Sequence, residues 1–237
     1  MPIHTLKLLK NETVANNTIK LTFEKPQGMN FIAGQYGGFT LIKPSVTDDL
    51  GINRRFSILS APDDKELQIV TRIQTSAFKK NLQKMAVGDE IKFAGPSGNF
   101  VLHDDHHIPA VMIAGGIGIA PFYSMIKHAL NHIPEQQMTL FYGNQTLADS
   151  AFMEELHELE NNHPQFKMIA ALANPNPEWK GSVGFITDEL IVKNVPDLDK
   201  PVFYVCGSPA MVAALHQVLR ELDIPEERIK VEDFPGY

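Results

Sequence analysis

The chain changes character once, near His103, and that change limits the folds open to it. Before it come short β-like runs divided by turn residues: "HTLKLLKNETV", "NTIKLTFE", "QYGGFTLI", "RRFSILS", "ELQIVTRI" and "EIKFAG". One helix-like segment, "SAFKKNLQKM", interrupts them. Short strands at near-regular spacing predict a small antiparallel barrel or sandwich. After "HDDHHIP" apolar runs alternate with amphipathic ones: "AVMIAG", "APFYSMIKHALNH", "MTLFYGN", "SAFMEELHELENN", "FKMIAAL", "ITDELIVKN", "PVFYVCG", "PAMVAALHQVLREL" and "RIKVEDF". That βαβ order predicts an α/β domain with a parallel sheet and helices on both faces. The expected organisation is therefore two domains, a β-barrel over 1–102 and a Rossmann-like α/β domain over 103–237. The "EWKGSVGFI" stretch reads as a strand-to-helix connection.

Composition narrows the function. With 21 Lys and Arg against 28 Asp and Glu, the net charge is −7, which argues against a general nucleic-acid binder, because a phosphate backbone needs a basic face. The one cysteine, Cys206, excludes an internal disulfide and any iron–sulfur or zinc site built from cysteines of this chain. The start "MPIHTLKLLKNETV" lacks the apolar core of a signal peptide, and no stretch approaches the roughly 20 apolar residues of a membrane span. A cytoplasmic protein with no membrane partner is expected. The histidines of "HDDHH" sit in a polar inter-domain loop without a matching ligand cluster, and His128 and His132 lie on a helix face that reads as solvated, so no metal is expected.

"VMIAGGIGIAPF" has the physics of a phosphate cradle. An apolar strand ends at Gly115, Gly116 and Gly118 allow a tight turn and close approach of a ligand, and Pro121 sits where a helix starts without wasting an amide. The helix N-terminus then favours a pyrophosphate. The pattern is G-x-G-x-x-P rather than the dehydrogenase G-x-G-x-x-G, and the next strand ends without an acidic ribose ligand. Ligands of such sheets collect beyond the carboxyl ends of the strands. That places Tyr142, Gly143 and Asn144 on the same crevice, with Cys206, Gly207, Ser208 and Met211. Cys206 has two readings, a core cysteine or a wall of the crevice. In "NRRFS", period-two alternation puts Arg54 and Phe56 on one strand face and Arg55 on the other.

Taken in order, "AGQY", "RRFS", "GPSGNF", "GGIGIAP", "LFYGNQTLAD", "CGSPAM" and "VEDF" resemble the ferredoxin-NADP reductase family, in which a flavin-binding barrel precedes a nicotinamide-dinucleotide domain. The resemblance spans nearly the whole chain. It implies FAD as cofactor, with the family's R-x-[YF]-[ST] motif falling on Arg54, Phe56 and Ser57: the arginine fork for a flavin phosphate, the aromatic for the ring or ribityl chain, the serine near the reactive flavin nitrogen. It further implies Val70, Thr71 and Arg72, then Ser76, Ala77, Phe78 and Lys79 at the start of a helix facing the flavin diphosphate. Phe78 as core and Lys79 as a solvated helix residue stand as the alternative. At the C-terminus it implies Glu232 near the nicotinamide and an aromatic, Phe234 or Tyr237, against the flavin.

The implied activity is hydride transfer from NADH or NADPH to flavin, with Ser57, Cys206 and Glu232 around the reacting atoms. Electrons then pass to a separate acceptor such as a ferredoxin, flavodoxin or oxygenase component. A reductase of free flavin and a non-catalytic flavin- or nucleotide-binding regulatory subunit are the alternatives. The loops expected to hold the adenosine ribose, "YGNQT" and "ALANPNPEW", contain no basic residue for a 2'-phosphate, which favours NADH.

Overall fold

The computed structural model describes residues 3–234. The expectation placed on Tyr237 lies outside them. In the N-terminal half, strands β1 (Ile3–Ala15), β2 (Thr18–Glu24), β3 (Tyr36–Leu41), β4 (Asn53–Ser57), β5 (Glu66–Arg72) and β6 (Glu90–Ser97) are joined between β5 and β6 by helix α1 (Ala77–Lys84). They form one antiparallel sheet in the order β4-β3-β6-β1-β2-β5. Alternation fixes its inner face: in β1 Leu6 and Leu8 are buried while Thr5 and Lys7 are exposed. The core they enter holds Leu21, Phe23, Phe39, Phe93 and, from α1, Phe78 and Leu82.

The second half contains β7 (Ala110–Gly115), α2 (Ile119–His132), β8 (Met138–Asn144), α3 (Met153–Asn162), β9 (Phe166–Leu172), β10 (Ser182–Val183), α4 (Asp188–Asn194), β11 (Val202–Gly207), α5 (Pro209–Glu221) and β12 (Ile229–Asp233). The sheet is parallel, in the order β10-β9-β8-β7-β11-β12. Every residue of β7 and β11 is buried, as expected of central strands covered on both faces. Ala110, Met112 and Ala114 pack with α2 and α3 residues such as Phe122, Met125 and Leu156. Val111 and Ile113 pack with Ile191 of α4 and Val212, Leu215 and Leu219 of α5.

The first of these two clusters also contains Ala33, Leu59, Val70 and Phe100 from the barrel side, so the halves meet through apolar packing. Gly34 shows how close that packing is: at φ +100°, a Cβ there would stand 2.2 Å from Phe100 O and 2.3 Å from Met125 Cε. The buried Ser124 hydroxyl of α2 donates to Ser60 O at 2.7 Å across the same seam.

The element reading of the sequence differs from the structure in three places. "RRFSILS" is a strand only to Ser57, after which Ile58–Ser60 runs buried outside the ladder. The "EWKGSVGFI" connection carries the short edge strand β10, which extends the β9 ladder through Ser182 and Val183. Gly116–Gly118 forms a 3-10 turn before α2, making Pro121 the third helical residue rather than the first.

Candidate active site

On the barrel side, the cations gather at one helix end. Arg54 and Phe56 share a face of β4, as alternation requires: the Arg54 guanidinium lies 5.4 Å from the Phe78 ring centroid and the Phe56 ring 5.9 Å from the same ring. Arg54 Nη1 donates to the carbonyls of Leu50 at 2.7 Å and Asn53 at 2.6 Å. Its Nη2 is buried without a hydrogen-bond partner, with Asp48 Oδ1 3.9 Å away. Arg72 Nε is likewise buried without a hydrogen-bond partner. Lys79, in the first turn of α1, has its pKa lowered by burial first and then by the charges of Arg54 and Arg72.

Three cations that repel one another are thus held around the N-terminus of α1. Ser76 caps that helix, its hydroxyl accepting from Lys79 N at 3.3 Å, and Asp48 Oδ2 accepts from Ala77 N at 2.6 Å. Cations, two orphaned guanidinium nitrogens and a helix N-terminus fit a diphosphate. The residues present therefore fit the flavin dinucleotide implied by the sequence.

Several side chains differ from their expected places. The Phe78 ring is 1% exposed in the barrel core, so its contribution is to support Phe56 and Arg54 from beneath. Val70 and Thr71 are buried within the β2–β5 ladder, opposite Lys20 and Ile19. Arg72 reaches across to the other half, where its Nη2 donates to Asp149 O at 3.3 Å. Arg55 is exposed and lies over the Tyr36 ring, as a residue of the opposite strand face should.

The second part of the site is a crevice of about 460 Å³ beyond the carboxyl ends of the parallel strands. Gly115, Gly116, Gly143, Asn144, Ser208 and Met211 line it. It sits where the strand order reverses around β7, the usual ligand position in such sheets. Gly118 is required there: a Cβ would stand 2.3 Å from Cys206 O, a backbone atom that cannot step aside. Among the described residues no side chain caps the N-terminus of α2, whereas Ser208 caps α5 by accepting from Met211 N. Five residues expected to line the crevice do not: Gly118, Cys206 and Gly207 fall outside its lining, as do Tyr142 and Pro121. Tyr142 is fully buried and donates to Ala151 O at 3.1 Å, and Pro121 is buried within α2. Conversely Phe185, Ile186, Ala214 and Val218 line it without having been anticipated, and Arg72, expected at the flavin diphosphate, lines it as well. Met211, Ala214 and Val218 follow helical spacing, a signal that reads equally well as core.

Between the two parts lie the residues expected around the reacting atoms. The β11–β12 ladder sets Cys206 opposite Glu232, and Ser57 Oγ donates to Glu232 Oε2 at 3.5 Å, at the outer limit of a hydrogen bond. Burial raises the Glu232 pKa to about 7 against the opposing hydrogen bond from Ser57, with Asp233 adding to the rise. Cys206 is 0% exposed and its thiol pKa is pushed well up by burial, then by Glu232 and Asp233. It is a neutral, packed thiol rather than a nucleophile. Phe234 is half-buried against the α/β core, its amide donating to Gly207 O at 3.1 Å. Strand β12 thereby delivers the C-terminal acid and aromatic to the end of the central strands.

Comparison with known proteins agrees with this division. Residues 5–102 match the model of an oxidoreductase FAD-binding domain and residues 112–217 that of an oxidoreductase NAD-binding domain. NADH-cytochrome b5 reductase 2 of Aspergillus clavatus is 31% identical over 217 residues, covering 89% of this chain and 67% of that protein. One component chain of the Na(+)-translocating NADH-quinone reductase of Serratia proteamaculans is 29% identical over 221 residues, covering 86% of this chain and 54% of its own length. The chain thus spans about half to two-thirds of the length of these relatives. The crystal structure of the Amycolatopsis cytochrome P450 reductase GcoB superposes over the whole chain and 72% of its own, with a TM-score of 0.84 and 27% identity. Among the described residues no helix is long and apolar enough to cross a membrane.

Proposed function

From the premise that the chain belongs to the ferredoxin-NADP reductase family of FAD- and NAD-binding oxidoreductases, we propose that it accepts a hydride from NADH onto FAD and passes the electrons to a separate acceptor. The observation that carries this reading is the convergence of Ser57, from the barrel, with Glu232, which the β11–β12 ladder sets beside Cys206 in the α/β half. When bound, FAD supplies the two-electron chemistry that protein side chains lack. The chain's own tasks are to hold, orient and exclude water.

Arg54, Lys79 and the first turn of α1 would hold the diphosphate, with Phe56 beside it. Ser57 would place its hydroxyl at the ring edge, and Glu232, titrating near neutrality, would hold or release a proton next to it. Gly118 and the uncapped α2 N-terminus would hold the nicotinamide dinucleotide. Cys206 would give that pocket a dry wall. The cation cluster favours retained FAD over flavin as a passing substrate, because free riboflavin has no phosphate to engage it.

The preference for NADH rests on the strand-end loops. Gln145 and Asn174 are bonded to each other, Asn174 Nδ2 donating to Gln145 Oε1 at 3.0 Å, and neither loop offers a cation to a 2'-phosphate. The NADH in the names of both curated relatives supports the same choice. Their names also point to acceptors of different kinds, cytochrome b5 and quinone, and that of the structural relative to a cytochrome P450. A heme protein or oxygenase component is the acceptor that we propose. The test is an anaerobic absorption spectrum of purified protein before and after NADH and, on a fresh sample, NADPH. Retained flavin bands that bleach faster with NADH are expected; a colourless protein active only with added free flavin would overturn the prosthetic-group reading.

A further inference from the structure

At the far end of α2, His128 and His132 are four residues apart and therefore share a helix face. Their ring centroids are 4.8 Å apart. Asp63, from the loop joining β4 and β5, inserts its carboxylate between them: Oδ1 lies 3.7 Å from His128 Nδ1 and Oδ2 3.2 Å from His132 Nε2. One ligand atom from each of the three residues lies within 4.8 Å of the others. We propose that Asp63, His128 and His132 bind one divalent late first-row transition-metal ion, of the zinc type, that pins the barrel loop to α2.

The donor chemistry and spacing both suit such an ion. Two imidazole nitrogens and one carboxylate oxygen are a common zinc set that leaves a fourth position for water. Bonds of about 2.0–2.2 Å in a tetrahedron require donor separations of roughly 3.3–3.6 Å. The Asp63–histidine separations, 3.7 Å to Oδ1 and 3.2 Å to Oδ2, involve different carboxylate oxygens, whereas one ligand atom from each residue falls within 4.8 Å of the others, somewhat wider than that range. Drawing the three donors onto one ion takes rotation of the carboxylate and of rings that stand partly in solvent. His128 Nδ1 is itself buried without a hydrogen-bond partner, which leaves its lone pair available in the neutral tautomer.

The neighbouring charges do not compete for Asp63. Lys127 Nζ pairs with Asp64 Oδ2 at 2.9 Å, so the adjacent acid takes the adjacent cation. A simple imidazolium–carboxylate pair would need one histidine, yet two converge here, one on each carboxylate oxygen. The site lies roughly 15–20 Å along α2 from Gly118 at 1.5 Å per residue, away from the crevice. Its effect would be to add a coordination link to a seam that apolar packing, the Ser124–Ser60 hydrogen bond and the Lys127–Asp64 pair also hold.

The experiment is isothermal titration of zinc chloride into the full chain, freed of any affinity tag and dialysed against chelator, alongside His128→Gln, His132→Gln and Asp63→Asn. One saturable equivalent is expected in the parent, weakened at least about tenfold by either histidine change. His106→Gln with His107→Gln, in the separate "HDDHH" loop, should leave the affinity unchanged. Absence of a saturable site in the parent, or undiminished affinity in the His128→Gln/His132→Gln double variant, would overturn the proposal. Because substitutions can perturb the helix, the parent is also followed by histidine NMR: zinc should shift the His128 and His132 ring resonances and spare those of His106 and His107. Shifts confined to the latter pair would likewise overturn it.

Discussion

Around the N-terminus of α1 the barrel gathers Arg54, Lys79 and Arg72, whereas the crevice at the end of β7 is lined by Gly115, Gly116 and Gly143 with apolar Phe185, Ile186 and Met211, and Gly118 packs against the Cys206 backbone beside it. The first surface would hold an anion with charge, the second with backbone and shape. Charge suits a cofactor that stays, because paired phosphate and guanidinium bonds are strong and directional. Shape suits a substrate that must leave after each turnover: fewer fixed charges mean less affinity common to reactant and product. Arg72 belongs to both, its guanidinium lining the crevice and its charge felt at Lys79.

The contrast can be broken from either side. Arg54→Ala should have the largest effect, removing charged hydrogen bonds worth about 1.5–3 kcal/mol and so weakening FAD retention by about 10- to 150-fold. Flavin-to-protein ratios after desalting, with dissociation constants from fluorescence, measure it. Unchanged occupancy would mean that charge is not what holds the cofactor.

On the other side, Gly118→Ala must displace the Cys206 carbonyl or the turn itself, an overpacking cost of about 1–3 kcal/mol. The expected signature is a raised NADH requirement in stopped-flow flavin reduction with FAD still bound. Loss of both ligands together would show the two surfaces to be one cooperative unit.

The boundary between the surfaces is tested by pH. Glu232 has its folded pKa raised from 4.5 to about 7, so the folded chain binds a proton that the unfolded chain has released between those values. Its neutral form is favoured below about pH 7, and stability contributed by that retained proton is lost as pH rises from about 4.5 through 7. Glu232→Gln should therefore remove a titration near pH 7 from the rate of flavin reduction and flatten the fall in thermal stability over the same window. A pH profile identical to the parent's would place the titrating group elsewhere.

The smallest effect is expected from Asn174→Arg, which adds a cation to a loop that lacks one. An exposed ion pair contributes about 0.2–1 kcal/mol, so NADPH use should improve by about 1.4- to fivefold relative to NADH at low salt. No change in the cofactor ratio would show that the adenosine ribose is not held by this loop.

Much of the fold was readable because its signals are local. Alternation in β1 and the uninterrupted apolar runs of β7 and β11 each act within a few residues. Strand β10 escaped because two residues carry no period. The site was readable in part. Glycines that end strands and a charged residue beside an aromatic on one strand face are visible in the chain. Tyr142 was not, and Phe78 was open between ligand and core, since an aromatic near the end of a strand or the start of a helix reads the same whether it faces ligand or core. Ala214 and Val218 of α5 were missed for the reverse reason, a helical apolar face that forms a crevice wall.

By itself, the sequence determined a strand-rich half followed by a βαβ half, a glycine-rich turn at Gly115–Gly118, and a single cysteine at a strand end, because each depends on neighbours in the chain. Only the tertiary structure decided that Ser57, Cys206 and Glu232 meet and that Asp63 stands between His128 and His132. Ser57 and Glu232 are 175 residues apart; they meet because the packed seam between the two sheets sets where the end of β4 faces the end of β12, and no local pattern encodes that position.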